Sequence, residues 1–82
     1  MEKKLLSEIV GANLKRAISL SDYKTQEEFA WEFGTELRTV NRWVNSGLNK
    51  IDTADEIADF LGFEAINLFI EGVEDKKLCI TW

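Results

Sequence analysis

The stretch that decides the fold covers residues 25–47 and reads TQEEFAWEFGTELRTVNRWVNSG. Thr25 is followed three residues later by Glu28, and this capping-box pattern predicts the beginning of a helix over about residues 25–33. Gly34 is placed to end that helix, because glycine readily takes the left-handed conformation that closes a helix. The first half of the stretch therefore predicts one short helix with both of its ends marked.

The second half of the stretch predicts another helix over about residues 36–45, with Gly47 after it. Its apolar residues Val40, Trp43 and Val44 are spaced to face inward. Its outward positions are Leu37, Arg38, Asn41 and Arg42. Two helices joined by about four residues with a glycine at the bend form a helix-turn-helix, in which the second helix can enter a DNA major groove about 12 Å wide. The outward arginines are also compatible with a solvated helix face that binds nothing.

Helical patterns flank this motif on both sides. Apolar residues recur at three-to-four spacing between Leu5 and Ile18, which predicts an amphipathic first helix. After the motif, Asp52 or Thr53 is placed to begin a fourth helix, which Gly62 would end. The predicted inner face of the fourth helix consists of Ala54, Ile57, Ala58 and Leu61.

The C-terminal residues contain weaker patterns. Residues 66–70 predict a short fifth helix that ends at Gly72, which completes a predicted domain over residues 1–72. In the tail, residues 73–82, apolar and polar side chains alternate, which favours a β-strand. The apolar members of this alternation are Leu78, Ile80 and Trp82. The tail could fold back onto the core, pair with the tail of a second copy or stay disordered. The glycines, Gly11 among them, are interpreted as punctuation between helices.

Composition places the chain among small globular proteins. Its 82 residues are enough for one domain, and 45% apolar with 30% charged residues is typical of a folded protein. No apolar run approaches the roughly 20 residues that a membrane span needs, and the N-terminal pattern does not fit a secretory signal. The one cysteine, Cys79, cannot form an internal disulfide. These features predict a cytoplasmic protein without membrane contact.

The same inventory argues against an enzyme. The chain has no histidine and one cysteine, so neither a Ser-His-Asp nor a Cys-His arrangement can be assembled. An ordinary zinc site is not expected for the same reason, and the sequence contains no glycine-rich phosphate loop. We therefore expect no catalytic residues, no metal and no cofactor.

The net charge of −5 argues against a polyanionic partner, but the charge is unevenly distributed. Residues 1–50 contain eight Lys or Arg and seven Asp or Glu, which gives +1. Residues 51–82 contain two Lys and eight Asp or Glu, which gives −6, and the two values add to −5. A nucleic-acid surface in the first half would therefore lie in a nearly neutral field.

Two phrases of the sequence resemble the Cro and phage-repressor type of helix-turn-helix family, also called XRE-like. TQEEFAWEFG, residues 25–34, is similar to that family's Thr-Gln-x-Glu-Leu-Ala-x-x-Leu-Gly, and TVNRWVNSG, residues 39–47, to its Thr-Ile-x-Arg-Trp-Glu-Asn-Gly. The resemblance covers roughly residues 8–71. It implies an all-α, five-helix domain, to which the tail could add a strand. It also implies a sequence-specific DNA-binding transcriptional regulator, a repressor of phage type that binds a double-stranded DNA operator as a homodimer.

Carried over to this sequence, the resemblance assigns roles to particular residues. The implied base contacts are Leu37, Arg38, Asn41 and Arg42. The implied phosphate contacts are Lys24, Gln26, Asn45, Asn49 and Lys50. An arginine can bind guanine N7 and O6 through two hydrogen bonds, and a leucine can pack on a thymine methyl. Gln26 could equally be an ordinary polar residue at the beginning of a helix.

Two departures from the family bear on the choice of partner. Trp31 occupies an outward position that the family makes polar, so a protein partner or the tail could cover it. The expected partner or dimer surface comprises Trp31, Leu78, Ile80 and Trp82. Glu36, near the groove-facing end of the second helix of the motif, could accept from cytosine N4 or repel phosphate. The rival hypothesis is an acidic module with the helix-turn-helix fold, of antitoxin, antirepressor or defence-inhibitor type, that binds protein rather than DNA.

Overall fold

The computed structural model describes residues 6–23, 25–48 and 50–78. Over these residues the chain forms four α-helices and two short 3₁₀ helices. In chain order the elements are α1 (Leu6–Leu20), α2 (Gln26–Phe33), α3 (Leu37–Ser46), α4 (Ile51–Leu61) and the 3₁₀ helices Ala65–Phe69 and Asp75–Leu78. The all-α prediction is confirmed, and the described residues contain no strand.

The predicted count of five α-helices is wrong, because the expected fifth helix is the 3₁₀ helix Ala65–Phe69. Its first turn closes through a hydrogen bond from Asn67 N to Glu64 O at 3.0 Å, three residues apart. Left-handed glycines, Gly62 with φ 87° and Gly72 with φ 73°, confine the segment on both sides. So short a segment does not offset the cost of nucleating an α-helix, whereas a 3₁₀ helix commonly occurs in short pieces.

The predicted C-terminal strand is wrong where the structure describes the tail. Asp75–Leu78 is a 3₁₀ helix, and Leu78 is buried in the core with 1% of its surface exposed. Leu78 therefore does not belong to a partner or dimer surface, and the alternative in which the tail folds back applies to it. The strand prediction failed because an alternation of only three apolar residues cannot distinguish a strand from a turn that buries one leucine. Ile80 and Trp82 lie outside the described residues.

The core is assembled around α1. Buried apolar side chains come from all four α-helices, from both 3₁₀ helices and from the connection between those two: Val10, Leu14, Ala17, Ile18, Phe29, Ala30, Val40, Ala54, Ile57, Leu61, Leu68, Val73 and Leu78. The predicted inner face of α4 is buried throughout. Burial of a large apolar side chain contributes about 1.5 to 3 kcal/mol, so these positions dominate the stability of so small a chain.

The ends of α2 are stabilised as its sequence predicts. Thr25 Oγ1 accepts a hydrogen bond from Glu28 N at 3.1 Å, which satisfies one of the free amides in the first turn. At the other end Gly34 has φ 91°, and the amides of Gly34 and Thr35 donate to Ala30 O at 3.0 and 2.9 Å. These bonds give α2 a defined length and turn the chain toward α3.

Gly11 lies in the middle of α1, so its interpretation as helix punctuation is wrong. A Cβ atom there would lie 2.5 Å from the carbonyl oxygen of Val44 in α3. Gly47 has φ 83°, and a Cβ atom on it would lie 2.5 Å from the carbonyl oxygen of Ser7. The backbones of α1 and α3 thus approach closely at two points, because glycine leaves room between them. This contact positions α3 and leaves its opposite side to solvent.

Polar side chains of α1 hold the segment that follows α4. Asn13 is 3% exposed, and its Nδ2 donates to the carbonyl oxygens of Leu68 and Ile70 at 2.9 Å each. One turn further along α1, the Nε of Arg16 donates to Asp75 Oδ1, also at 2.9 Å. Buried carbonyls outside regular helices need such donors, so Asn13 stabilises the irregular C-terminal segment directly.

Candidate nucleic-acid interface

Helices α2 and α3 are joined by residues 34–36 and share one apolar contact surface. Val40 of α3 is completely buried. Trp43 packs edge-on against Phe33 of α2, with ring centroids 6.1 Å apart and an interplanar angle of 82°. Val44 is partly buried against the same core. The inward face of α3 is therefore the predicted one, and it determines which side chains project outward.

The opposite face of α3 collects the side chains that were predicted to contact bases. Arg38, Asn41, Arg42 and Asn45 are all exposed, and their i, i+3, i+4 and i+7 spacing places them on one stripe of the helix. Leu37, in the first turn, is 41% exposed. These five residues are called the α3 face below. All four predicted base contacts and one predicted phosphate contact thus lie on a single surface.

Arg38 makes one ion pair, and that pair is weak. Its Nη2 lies 3.7 Å from Glu36 Oε1, and the two side chains are 86% and 69% exposed. Ion pairs this open to water contribute about 0.2 to 1 kcal/mol and are screened by salt. Glu36 precedes α3 without making a side-chain capping bond. An anion that binds Arg38 more tightly could therefore replace this carboxylate with little loss of free energy.

Arg42 has no ion-pair partner among the described residues. It lines a shallow depression of about 210 Å³ together with Trp43, Leu48, Lys50 and Thr53. Lys50 was predicted as a phosphate contact and is exposed at the beginning of α4. The structure therefore places a predicted base contact and a predicted phosphate contact around one depression, which extends the cationic surface beyond α3.

Gln26 begins α2 and is half-buried. Its carboxamide oxygen is buried and has no hydrogen-bond partner within the described ranges. A phosphate can only accept, so any phosphate contact by Gln26 has to use the Nε2 amide rather than this oxygen. Both interpretations of Gln26, a phosphate contact and an ordinary polar residue at the beginning of a helix, leave this oxygen without a partner.

The remaining predicted site residues are divided between the surface and undescribed positions. Trp31, predicted to belong to a partner surface, is 82% exposed on α2. Lys24 and Asn49 lie outside the described residues, as do the two tail residues noted above.

An aromatic cluster supports the motif, and two of its members were missed in the sequence. Phe60 of α4 stacks against Tyr23 with ring centroids 5.4 Å apart and meets Phe33 edge-on at 5.2 Å. Tyr23 lies in the connection between α1 and α2. Phe60 follows Ile57 by three residues, and this spacing could have identified it as part of the inner face of α4. The cluster links α4 to both helices of the motif.

Positive and negative side chains are separated more clearly between helices than between the two halves of the sequence. Helix α3 contains two arginines and no acidic residue. Exposed carboxylates lie on the neighbouring helices: Glu27, Glu28 and Glu32 on α2, and Asp52, Asp55, Glu56 and Asp59 on α4. The α3 face is therefore a cationic strip in an otherwise acidic molecule.

Comparisons with known proteins found no matching family model, no matching curated protein and no matching solved structure. Within the described ranges, each helix is too short or too polar to cross a bilayer.

Proposed function

We propose that this protein is a cytoplasmic, sequence-specific DNA-binding transcriptional regulator of the Cro/repressor type that inserts α3 into the major groove. The observation that carries the proposal is the α3 face, on which two guanidinium groups and two amides project side by side. The helix behind them is anchored by Val40 and by its close contact with α1. Exposed bidentate donors on a rigid helix are what direct recognition of base edges requires.

Four residues of the α3 face suit features that bases present in the major groove. Arg38 and Arg42 can each donate two hydrogen bonds to N7 and O6 of a guanine. Asn41 can donate to N7 and accept from N6 of an adenine. Leu37 offers an apolar contact for a thymine methyl. These contacts would supply the choice of sequence.

Phosphate contacts would supply most of the affinity. Lys50 and Asn45 lie on or beside the α3 face, and the Nε2 amide of Gln26 lies at the beginning of α2. Lys24 and Asn49 complete the proposed set. Because the net charge of the chain is −5, long-range attraction contributes little and local contacts have to dominate. Affinity should accordingly fall steeply with salt.

A homodimer would explain how so short a helix selects one site. Two copies related by a two-fold axis can place their α3 helices about 34 Å apart, one turn of duplex, on a palindromic operator. Dimeric binding roughly doubles the number of base contacts. The regulator would then act by occupying its operator and competing for it with other proteins.

The test is a selection from random duplexes by the full chain at physiological salt. The proposal expects enrichment of a palindromic sequence and loss of that enrichment in an Arg38→Ala/Arg42→Ala variant. Lys15→Ala/Lys77→Ala is the matched control, because it also removes two exposed cations but not from α3, and it should leave the enriched sequence unchanged. Selection that enriches no sequence would count against DNA recognition.

The rival function, a protein-binding module with the same fold, draws on a different observation. The molecule exposes an indole on α2, and most of its surface charge is negative. An antitoxin, an antirepressor or a defence inhibitor would fit this description. A chain that enriches no duplex but forms a stable complex with a protein would favour this function.

A further inference from the structure

Among the large apolar side chains exposed in the described residues, Trp31 has the largest exposed fraction, 82%. It lies on the outer side of α2, opposite the buried Phe29 and Ala30. Neither the core nor the α3 face uses it. Tryptophan is enriched among the residues that contribute most to protein–protein binding.

Trp31 is part of a groove rather than an isolated protrusion. A surface depression of about 430 Å³ is lined by Tyr23, Glu27, Glu28, Trp31 and Glu32. The Tyr23 ring is stacked on Phe60 at an interplanar angle of 16°, so this side of the groove is braced by α4. The groove thus has aromatic surfaces and three carboxylates around them.

The carboxylates have no counter-ion within the described ranges. Glu27 and Glu28 lie in the first turn of α2, where negative charge is favourable to the helix. Glu32 lies in the last turn, where negative charge is unfavourable, and it follows Glu28 by four residues, where like charges repel. Helix stability therefore accounts for two of the carboxylates but not for Glu32.

We infer that this groove binds a basic segment of another protein, with an arginine or lysine side chain placed over the Trp31 indole. A cation is attracted to the face of an indole, and the surrounding carboxylates can pair with the same group or its neighbours. A purely apolar occupant would strip water from three carboxylates without compensation. DNA is disfavoured because its phosphates would meet those carboxylates. A two-fold pairing of two copies through this groove is disfavoured, because it would bring the three glutamates of each groove together.

This binding site is separate from the proposed recognition of DNA, because none of its lining residues belongs to the α3 face or to the proposed phosphate contacts. A Trp31→Ala variant should bind its selected duplex as the unmodified chain does. Failure of one proposal therefore leaves the other standing, and the two experiments distinguish them.

The test follows the indole N–H of Trp31 by NMR in the full chain, with the resonance assigned from a Trp31→Phe variant. The probes are the peptides acetyl-Arg-Leu-Arg-Leu-Arg-amide and acetyl-Glu-Leu-Glu-Leu-Glu-amide. The cationic peptide should shift the Trp31 resonance in a saturable way, and the acidic peptide should not. The shift should weaken as salt is raised.

Two triple variants with equal changes in net charge separate the groove from the general field. Glu27→Gln/Glu28→Gln/Glu32→Gln should weaken binding of the cationic peptide about fivefold or more. The matched control on α4, Asp55→Asn/Glu56→Gln/Asp59→Asn, should change it less than about twofold.

Three outcomes would overturn the inference. Equal weakening by both triple variants would mean that only the overall charge attracts the peptide. Equal shifts with both peptides would mean that the groove does not select for charge. A Trp31 resonance that moves on dilution without peptide would mean that a second copy occupies the groove.

Discussion

Helices α2 and α3 are neighbours that bury the same kind of residue and expose opposite kinds. Their inner faces meet in one core through Phe29, Ala30 and Val40. Outside, α3 presents two arginines and no acid, whereas α2 presents Trp31 and three glutamates but no base. Folding constrains only the inner faces, since exposed charges change stability little. Both proposed partners, DNA at α3 and a basic segment at α2, rest on this difference in charge, which the net charge of the chain conceals.

The largest expected effect tests how α3 is positioned. Gly11→Val should lower the free energy of unfolding by about 2 to 3 kcal/mol, because its side chain would collide with the backbone of α3 at Val44. The measurement is urea denaturation of the full chain. The matched control is Ala12→Val on the exposed side of the same helix, which should cost only about 0.5 kcal/mol of helix propensity. Similar losses in the two variants would contradict the close approach of α1 and α3.

The next effect compares the two outer faces in DNA binding. Arg42→Ala should weaken binding to the selected operator by about 1 to 3 kcal/mol and relax the preference at one base pair. Trp31→Ala, on the outer side of α2, should leave the affinity for the duplex unchanged. Titration of labelled duplex measures both. An Arg42→Ala chain that binds operator and random duplex as before would remove the α3 face from recognition.

A smaller effect concerns the carboxylate beside the α3 face. Glu36→Gln should strengthen duplex binding by up to about 1 kcal/mol, because it frees Arg38 and removes a charge that repels phosphate. Glu32→Gln changes the net charge equally but lies on α2, so it should have no such effect. If Glu36→Gln instead relaxes the sequence preference and weakens binding, Glu36 accepts a hydrogen bond from a base.

The smallest effect concerns the stability of α2 itself. Glu32→Gln should raise the free energy of unfolding by about 0.2 to 0.5 kcal/mol, since it removes a like-charge pair with Glu28 and a negative charge from the end of the helix. Glu27→Gln, in the first turn, should give no gain. Thermal denaturation at low salt measures both. A destabilised Glu32→Gln chain would show that Glu32 serves the fold, and would weaken the case for a binding groove.

Local features of the motif were predictable because they depend on residues close together in the chain. The cap by Thr25, the end of α2 at Gly34 and the inward position of Val40 follow from patterns a few residues long. The grouping of the α3 face follows in the same way from the period of a helix. The predicted surface of α3 was therefore as accessible to sequence reasoning as its buried side.

Other features depend on partners that no local pattern reveals. Asn13 interrupted an apolar pattern in the sequence, yet it is buried because the carbonyls of Leu68 and Ile70 lie beside it. Gly11 appeared to be punctuation, yet it is where α1 meets Val44. The alternation that includes Leu78 predicted a strand, yet the Leu78 side chain is buried in the core. In each case the residue type is explained by a neighbour more than thirty residues away.

The sequence by itself determined where α2 and α3 begin and end, which of their residues are buried and which charges they carry outward, because helix period and capping act over a few residues. Only the tertiary structure decided how closely α3 lies against α1, how the segment after α4 is held and which side chains share a groove. Those arrangements depend on volume and hydrogen bonding between distant parts of the chain, and such parts meet only when the core has formed.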